Sequence, residues 1–297
     1  MIMAALLDAG LGEPRRWHPL VGFGRCISKV ESRIYQPTRR RGALAVAILL
    51  LPLTALTLYL QMRLPTWASL ILDISLLYFA LGHRSLHDHA RPIAAALAAG
   101  DQQQAQQLTA RIVSRDSAAI EPAPAATESI LENGSDGVFG PLFWFVVAGG
   151  AGALLYRLAN TLDASWGYRN VRYMQFGWAA ARFDDLLNWP SARLTALSYA
   201  LLGKTRAALH CWRTQAPAWD SPNAGPVMAA GAGALGLRIG GAARYAGEWH
   251  QRPVLGDGLA PQAQDIERAL RLVRHSLVLW LAVAVLTEAL IAWHLHA

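Results

Sequence analysis

The run "ALAVAILLLPLTALTLYL", residues 43–60, holds eighteen consecutive residues without a charge. A helix apolar on every side has to be buried in protein or in lipid, and this one is long enough to span a bilayer. Arg39, Arg40 and Arg41 precede it, which puts its start on the cytoplasmic side. Pro52 kinks a membrane helix without breaking it. After the short outer turn "QMRLP", the run "WASLILDISLLYFALG", residues 67–82, brings the chain back inside. It carries Asp73, an ionisable group at membrane depth that faces protein or water rather than lipid. A third span, 277–293, follows Arg268, Arg271 and Arg274, places the C-terminus outside and holds Glu288. Composition agrees: 54% of residues are hydrophobic and 16% charged, with a mean hydropathy of +0.24, whereas soluble domains average about 25% charged.

Between these spans lies a polar segment, 83–136, read as cytoplasmic and helical. It holds two helices broken at Gly100–Asp101, then a loop punctuated by Pro122 and Pro124. The run 138–156 has arginines on both sides and "GGAG" in its middle. A re-entrant or peripheral hairpin keeps both basic sets inside and is preferred to a full span, provided that protein covers its backbone. The stretches 190–209 and 226–241 are interrupted by arginine or glycine and are uncertain spans. The small residues of the second suit close helix packing. The expected architecture is a single all-α, polytopic integral membrane domain, 1–297, with four or five membrane helices, one of them read as re-entrant.

The net charge is +7 and the pI near 9.8. A nucleic-acid partner is not expected, because no RNA-binding signature, zinc-finger spacing or basic heptad helix occurs. Basic residues beside apolar spans follow instead from membrane orientation, with phosphate-bearing substrates as a second use. Cys26 and Cys211 make neither a metal motif nor a disulfide framework and are read as free buried thiols. The opening "MIMAALLDAGLGEP" lacks a basic stretch before its apolar residues, so no cleaved signal peptide is expected.

Several polar constellations suggest chemistry. Glu128, Glu132 and Asp136 recur every four residues, so a helix puts them on one face. They then repel, unless a hard cation with substrate phosphates bridges them; a solvated helix face is the plainer alternative. Asn160 and Asp163 follow in "RLANTLDASWGY". Arg182, Asp184, Asp185 and Asn188 crowd into "RFDDLLN", which fits a salt-bridged helix end equally well. "DSPNAGP", 220–226, is a loop whose amides could take an anion or simply turn the chain. In "ALGHRSLHDHA", His87 and His89 point apart on a helix, so they share no metal, and Arg84 meets a phosphate or anchors at the headgroups.

The segments "ESILENGSDGVFGPLFW", "YRLANTLDASWGYRNVRY", "FGWAAARFDDLLNWPSARL" and "SPNAG" resemble the adenosylcobinamide-phosphate synthase family, the cobalamin biosynthesis proteins CobD/CbiB. "LLDAGLGEPRRWHPLVGFGR" resembles that family's opening, and "HRSLHDHA" and "RIVSRD" its middle loop. The order is right, from about residue 6 to 275. The resemblance implies an enzyme of the cytoplasmic (inner) membrane with a cytoplasmic active face. Its reaction is the ATP-dependent joining of adenosylcobyric acid to (R)-1-amino-2-propanol phosphate, or a related amino alcohol, with magnesium as the expected ion. Such an enzyme works in the lipid bilayer, alongside other late cobalamin-pathway membrane enzymes, and self-association is left open.

On that resemblance, Glu128, Glu132 and Asp136 handle magnesium–ATP, with Asp163 and Asp184 as further metal ligands. Arg84, Arg115 and Arg182 clamp phosphates. Asp185 and His18 are the candidate bases for the attacking amine, and the sequence does not choose between them. Asn160, Asn188 and Asn223 hydrogen-bond the corrin's amides. Trp144, Trp166, Tyr168, Tyr173 and Trp178 offer apolar area to the macrocycle or anchor the chain at the interface.

The chain departs from the family pattern after "SPNAG". Pro226, Val227 and Met228 stand where an aromatic residue and Pro-Glu are usual, so a glutamate is missing; "ENGSDGVFGP" also stands where E-N-x-V-D-G-V-x-A-P is usual. Two rival readings remain. One is a non-enzymatic inner-membrane protein of the same superfamily, implicated in β-lactamase induction. The other is a transporter, suggested by Asp73 and Glu288 but lacking the inverted repeats expected of one.

Overall fold

The computed structural model describes residues 1–13, 19–116, 119–245 and 247–296. The chain is helical almost throughout, as an all-α polytopic membrane protein should be. Among the described residues, four helical runs are long and apolar enough to cross a membrane, by length and composition: Arg39–Arg63, Thr66–Ala98, Pro122–Trp166 and Ala263–His294. The chain divides into two compact units, each built from two separate stretches: residues 1–84 with 136–191, and residues 85–135 with 192–297.

The first unit holds α1 (Ile2–Leu11), α2 (Pro19–Ile34), α3 (Arg39–Arg63) and α4 (Thr66–Ala80). Thr38 caps α3 by accepting from the Arg41 amide. Leu44, Ile48, Leu51 and Leu56 stand exposed on α3, the pattern of side chains meant for lipid rather than water. On the inner side Phe23, Ile27, Leu49, Tyr156, Leu162 and Trp166 join in one apolar core. Cys26 on α2 is exposed rather than buried, while Cys211 is buried. Position 26 falls on the outward side of α2 because Phe23 and Ile27 take the inward one.

Later in the chain α5 (His83–Ala98), α6 (Gln102–Thr109) and α7 (Pro122–Gly134) follow, then a five-residue π-helix, Ser135–Phe139, and α8 (Gly140–Trp166). The helix break at Gly100–Asp101 is present, with Gly100 at φ +78° and Asp101 capping α6 through the Gln104 amide. Pro122 and Pro124, expected in a loop, instead lie in the first turn of α7. Proline suits that turn because the first amides of a helix have no partner there anyway.

Helix α8 carries the feature that organises the first unit. Ala148 and Gly149 leave helical geometry, Gly149 at φ +61°. The chain doubles back there. A methyl group on Gly152 would lie 2.2 Å from the Trp144 carbonyl, and one on Gly140 2.0 Å from the Tyr156 ring. Along a straight helix, Gly140 and Tyr156 would stand about 24 Å apart. The apolar run 138–156 is therefore the hairpin, not a straight rod, and its glycines let the two arms touch. Asp73 of α4 seals the turn. Its carboxylate accepts from the Gly150 amide at 3.0 Å and from the Gln61 side chain, so protein groups answer it.

The second unit packs α7 against α12 (Ala224–Leu235) and α13 (Ala263–His296), with α10 (Trp178–Leu202) running into it from the first and α11 (Thr205–Gln215) after it. The stretch 190–209 is not one helix: α10 stops before Gly203–Lys204 and α11 begins after. Helix α12 is buried along its whole length, and Gly231 and Gly233 let Leu131 and Ala208 come close, the small-residue packing expected of it. Beyond it lie four three-residue strands. β1 (Arg238–Gly240) pairs antiparallel with β4 (Val254–Gly256), and β2 (Ala243–Tyr245) with β3 (Glu248–His250). The far half of α13 exposes Leu286, Leu290, Ile291 and Trp293, and Glu288 with them.

A side chain at Gly152 has nowhere to go. Gly152→Val is expected to lower the thermal unfolding midpoint in detergent by the equivalent of about 1–3 kcal/mol, the usual cost of overpacking. Gly22→Ala, with nothing within 4 Å, should be neutral or stabilising by up to about 1 kcal/mol. Equal behaviour of the two variants would refute the close approach of the arms.

Candidate functional site

In the first unit, α8 and α10 bring acids and amides together. Asp184 and Asn188 lie one turn apart on α10 and so share a face. Asn188 donates to the Asp184 carboxylate at 2.9 Å, Asn160 of α8 donates to its other oxygen at 3.4 Å, and the Tyr156 hydroxyl donates to the Asn188 carbonyl at 2.6 Å. Asp184 is 7% exposed and Asn188 2%. Burial, then the charge of Asp163, pushes Asp184 up to about 7, against the pull of the two amides. Burial also raises Asp185, with Arg182 and Arg169 pulling the other way. Arg182 stands 3.7 Å from Asp185 and is largely exposed. Gly167 closes α8, donating to the Asp163 carbonyl at 2.6 Å. A methyl group there would lie 2.0 Å from the Asp163 carboxylate, so this glycine makes room for the acid. Asp136 opens the π-helix Ser135–Phe139, a local unwinding that often marks functional positions.

Arg84 has a use within the fold. Its backbone amide donates to Asp8 at 2.9 Å and its guanidinium to the Ala9 carbonyl at 2.8 Å, so it holds the end of α1. Trp166 is buried and, with Tyr173 and Arg172, donates to Glu31. Trp144 donates to the Leu187 carbonyl at 2.9 Å. Of the aromatic set proposed for a macrocycle, Tyr168 and Trp178 are the two with large exposed faces; Trp166 belongs to the core. His18 lies outside the described residues.

The second unit contains a cavity of about 410 Å³ with Arg115, Glu128, Glu132, Trp219, Asp220 and Arg252 in its wall. Glu128 is buried. Its carboxylate accepts from Arg115, from both terminal nitrogens of Arg252, the nearer at 3.0 Å, and from the Gly240 amide at 2.9 Å. Glu132, one turn on, lines the same cavity. Met228 of α12 is fully buried in its wall, so the position lacking the usual glutamate presents an apolar surface. Asn223 is buried and accepts from Arg193 at 2.5 Å, while Arg193 also donates to the Pro222 carbonyl at 2.8 Å. Ser221 accepts from the Asn223 and Ala224 amides. Ser221 thus holds the first amide of α12, that of Ala224, from within the loop 220–226.

Within each unit, then, Asn160, Asp163, Asp184, Asp185 and Asn188 come together in the first, and Arg115, Glu128 and Glu132 in the second. Among the described residues no three His, Cys, Asp or Glu side chains form a ready-made metal site. Magnesium usually takes one or two carboxylates and completes its shell with water and substrate phosphates. Asp163 and Asp184 fit that demand: they are hard oxygen donors whose mutual repulsion a dication would relieve. Arg252 and Arg193 were not anticipated from the sequence. Arg252 follows strands only three residues long, whose alternation is too short to read, and no spacing links it to Glu128.

The family model described as CobD/Cbib protein matches residues 1–273. A cobalamin biosynthesis protein CobD of Chromobacterium violaceum is 55% identical over 99% of this chain and 97% of its own length. One of Stutzerimonas stutzeri is 58% identical over 95% of each chain, and one of Mycobacterium tuberculosis 40% identical over 92% of this chain and 90% of that one. No solved structure matches.

The raised Asp184 sets a pH prediction. A carboxyl whose folded pKa lies above its unfolded value near 3.9 binds its proton more tightly when folded. Stability is therefore lost as pH rises from about 4 to about 7. In EDTA at pH 8, Asp184→Asn should unfold at a higher temperature than wild type, and the gain should vanish near pH 4. A gain that does not change with pH would refute the burial of this charge.

Proposed function

Since the chain belongs to the CobD/Cbib family and has a role in cobalamin biosynthesis, we propose that it forms the amide between adenosylcobyric acid and (R)-1-amino-2-propanol phosphate, or a related amino alcohol, at the expense of ATP. The whole-length likeness to cobalamin biosynthesis proteins carries this reading. The buried carboxylate–amide cluster on α8 and α10 gives it chemical support.

A carboxylate resists attack by an amine. Transfer of the ATP γ-phosphoryl group to the substrate carboxylate oxygen gives an acyl phosphate and ADP. The amine nitrogen then attacks the acyl carbon, the phosphate leaves with the electron pair of the carbon–oxygen bond, and the nitrogen gives up a proton. Asp185 is suited to take that proton: burial raises it towards the operating pH, where a base works best. It is partly open to solvent and steadied by Arg182, and His18 is the other candidate. Asn160 and Asn188 hold the Asp184 carboxylate in place through both oxygens. Asp163 and Asp184 would hold magnesium, which neutralises phosphate charge when bound. The nucleotide roles expected of Glu132 and Asp136 come from the family resemblance. Tyr168 and Trp178 offer apolar faces to the corrin ring. The proposed setting is the cytoplasmic membrane, with the reacting groups on the cytoplasmic face and other late cobalamin-pathway membrane enzymes as neighbours.

Reconstitution tests this directly. The purified chain in nanodiscs, given adenosylcobyric acid, aminopropanol phosphate, ATP and magnesium, should yield the amide by mass. Glu132→Gln and Asp136→Asn should each lower kcat by about 10²-fold or more without changing the amount of folded protein. Magnesium alone should raise the thermal midpoint of wild type but not of an Asp163→Asn, Asp184→Asn double variant. Corrinoid binding without ligation would favour the regulatory reading, and corrinoid uptake into vesicles without ATP the transporter.

A further inference from the structure

Two arginines on a cavity wall are held by one buried carboxylate, and this arrangement has a use of its own. Arg115 comes from the turn after α6 and Arg252 from the segment leading into β4. They are 137 residues apart in sequence, yet both guanidiniums end on Glu128. Their side chains are 13% and 15% exposed, and that of Glu128 is 4% exposed. The group carries one net positive charge in a sheltered place. Arg252 is fixed from three directions: by Glu128, by donation from its Nε to the Gly241 carbonyl at 3.0 Å, and by the Trp219 ring, whose centroid lies 5.3 Å from its guanidinium carbon. Arg115 gives Glu128 one nitrogen of its fork and keeps further N–H donors.

Glu128 also accepts from the Gly240 amide, so it ties β1 and the Arg252 segment to α7. Asp116, next to Arg115, holds the β2–β3 hairpin that lies between β1 and Arg252 in sequence. Its amide donates to the Arg244 carbonyl at 3.0 Å, and its carboxylate accepts from the Gly247 amide at 2.8 Å. Both guanidiniums are therefore placed in advance of any ligand.

We infer that Arg115 and Arg252 form a phosphate subsite on this cavity, and that Glu128 is its positioning residue rather than a magnesium ligand. Planar guanidinium forks match the oxygens of a phosphate. Glu128 holds the two like charges at a fixed separation, and since Glu132 and Asp220 stand in the same wall, the anion is recognised by the N–H forks of the arginines rather than by a net positive field. The cavity, about 410 Å³, is near the small end of ligand pockets, which suits a small phosphate monoester. The inference rests on the preceding reading only in that one substrate there carries such a group.

The test separates positioning from simple charge. Removing a negative charge beside two arginines should tighten anion binding if charge alone matters; if Glu128 positions the pair, binding weakens. Full-length protein in detergent micelles is titrated calorimetrically with inorganic phosphate, without ATP or corrinoid. Wild type should bind saturably. Arg252→Lys, which keeps the charge and loses the fork, should bind about tenfold more weakly. Glu128→Gln should also bind more weakly. Tighter or unchanged binding by folded Glu128→Gln overturns the positioning role, and unchanged binding by Arg252→Lys overturns the subsite. If Glu128→Gln does not fold, as judged by gel filtration, Arg252→Lys and Trp219→Ala carry the test, both expected to weaken binding. A wild-type chain that forms the amide but does not bind phosphate would overturn this inference and leave the ligase reading standing. Phosphate binding without ligation would do the reverse.

Discussion

The first unit depends on a break in a helix and on what that break requires. Where Ala148 and Gly149 leave helical geometry, amides lose their partners inside an apolar region, which costs several kcal/mol per unsatisfied group in lipid. Asp73 answers one of them through the Gly150 amide, and Gln61 holds the carboxylate in turn. Once the turn is sealed, the arms lie together because Gly140 and Gly152 present no side chains. The second arm then carries Tyr156, Asn160 and Asp163 in one direction, into contact with α10.

The carboxylates of this chain are kept in contrasting environments. Glu31 and Glu128 are saturated with donors, the first by Arg172, Trp166 and Tyr173, the second by two arginines and an amide. Asp184 is given only neutral amide donors and an acidic neighbour, Asp163. Arginine partners pin a carboxylate in place, whereas burial beside another acid raises its pKa, as at Asp184. Residues alike in sequence are thus held by charged donors in one place and by neutral ones in another.

Much of this was legible in the sequence for physical reasons. Uncharged runs of spanning length read directly as membrane helices, and paired arginine flanks with internal glycines read as a hairpin, because both signals are local. The grouping of Asp184 with Asn188 was also local, one helical turn. What stayed hidden depends on distant pairing. The four-residue rhythm of Glu128, Glu132 and Asp136 suggested one shared face, yet Glu128 is met by Arg252, which lies 124 positions away. Trp166 looked like an interfacial aromatic and is a core residue because Glu31 receives its indole N–H. Pro122 and Pro124 looked like loop residues because proline marks loops and first helical turns alike.

The interleaving of the two units has a consequence for how the molecule is made. Each unit joins two stretches that are not consecutive. On the ribosome, residues 1–84 must therefore wait for 136–191 before their unit can close, while 85–135 emerge in between and wait in turn for 192–297. At about 5–20 residues per second, each half-built unit stands open for several seconds or longer. Until the hairpin arrives, Asp73 has no Gly150 amide to meet. The nascent chain thus passes through a stage in which this acid is inserted without the backbone that later shields it.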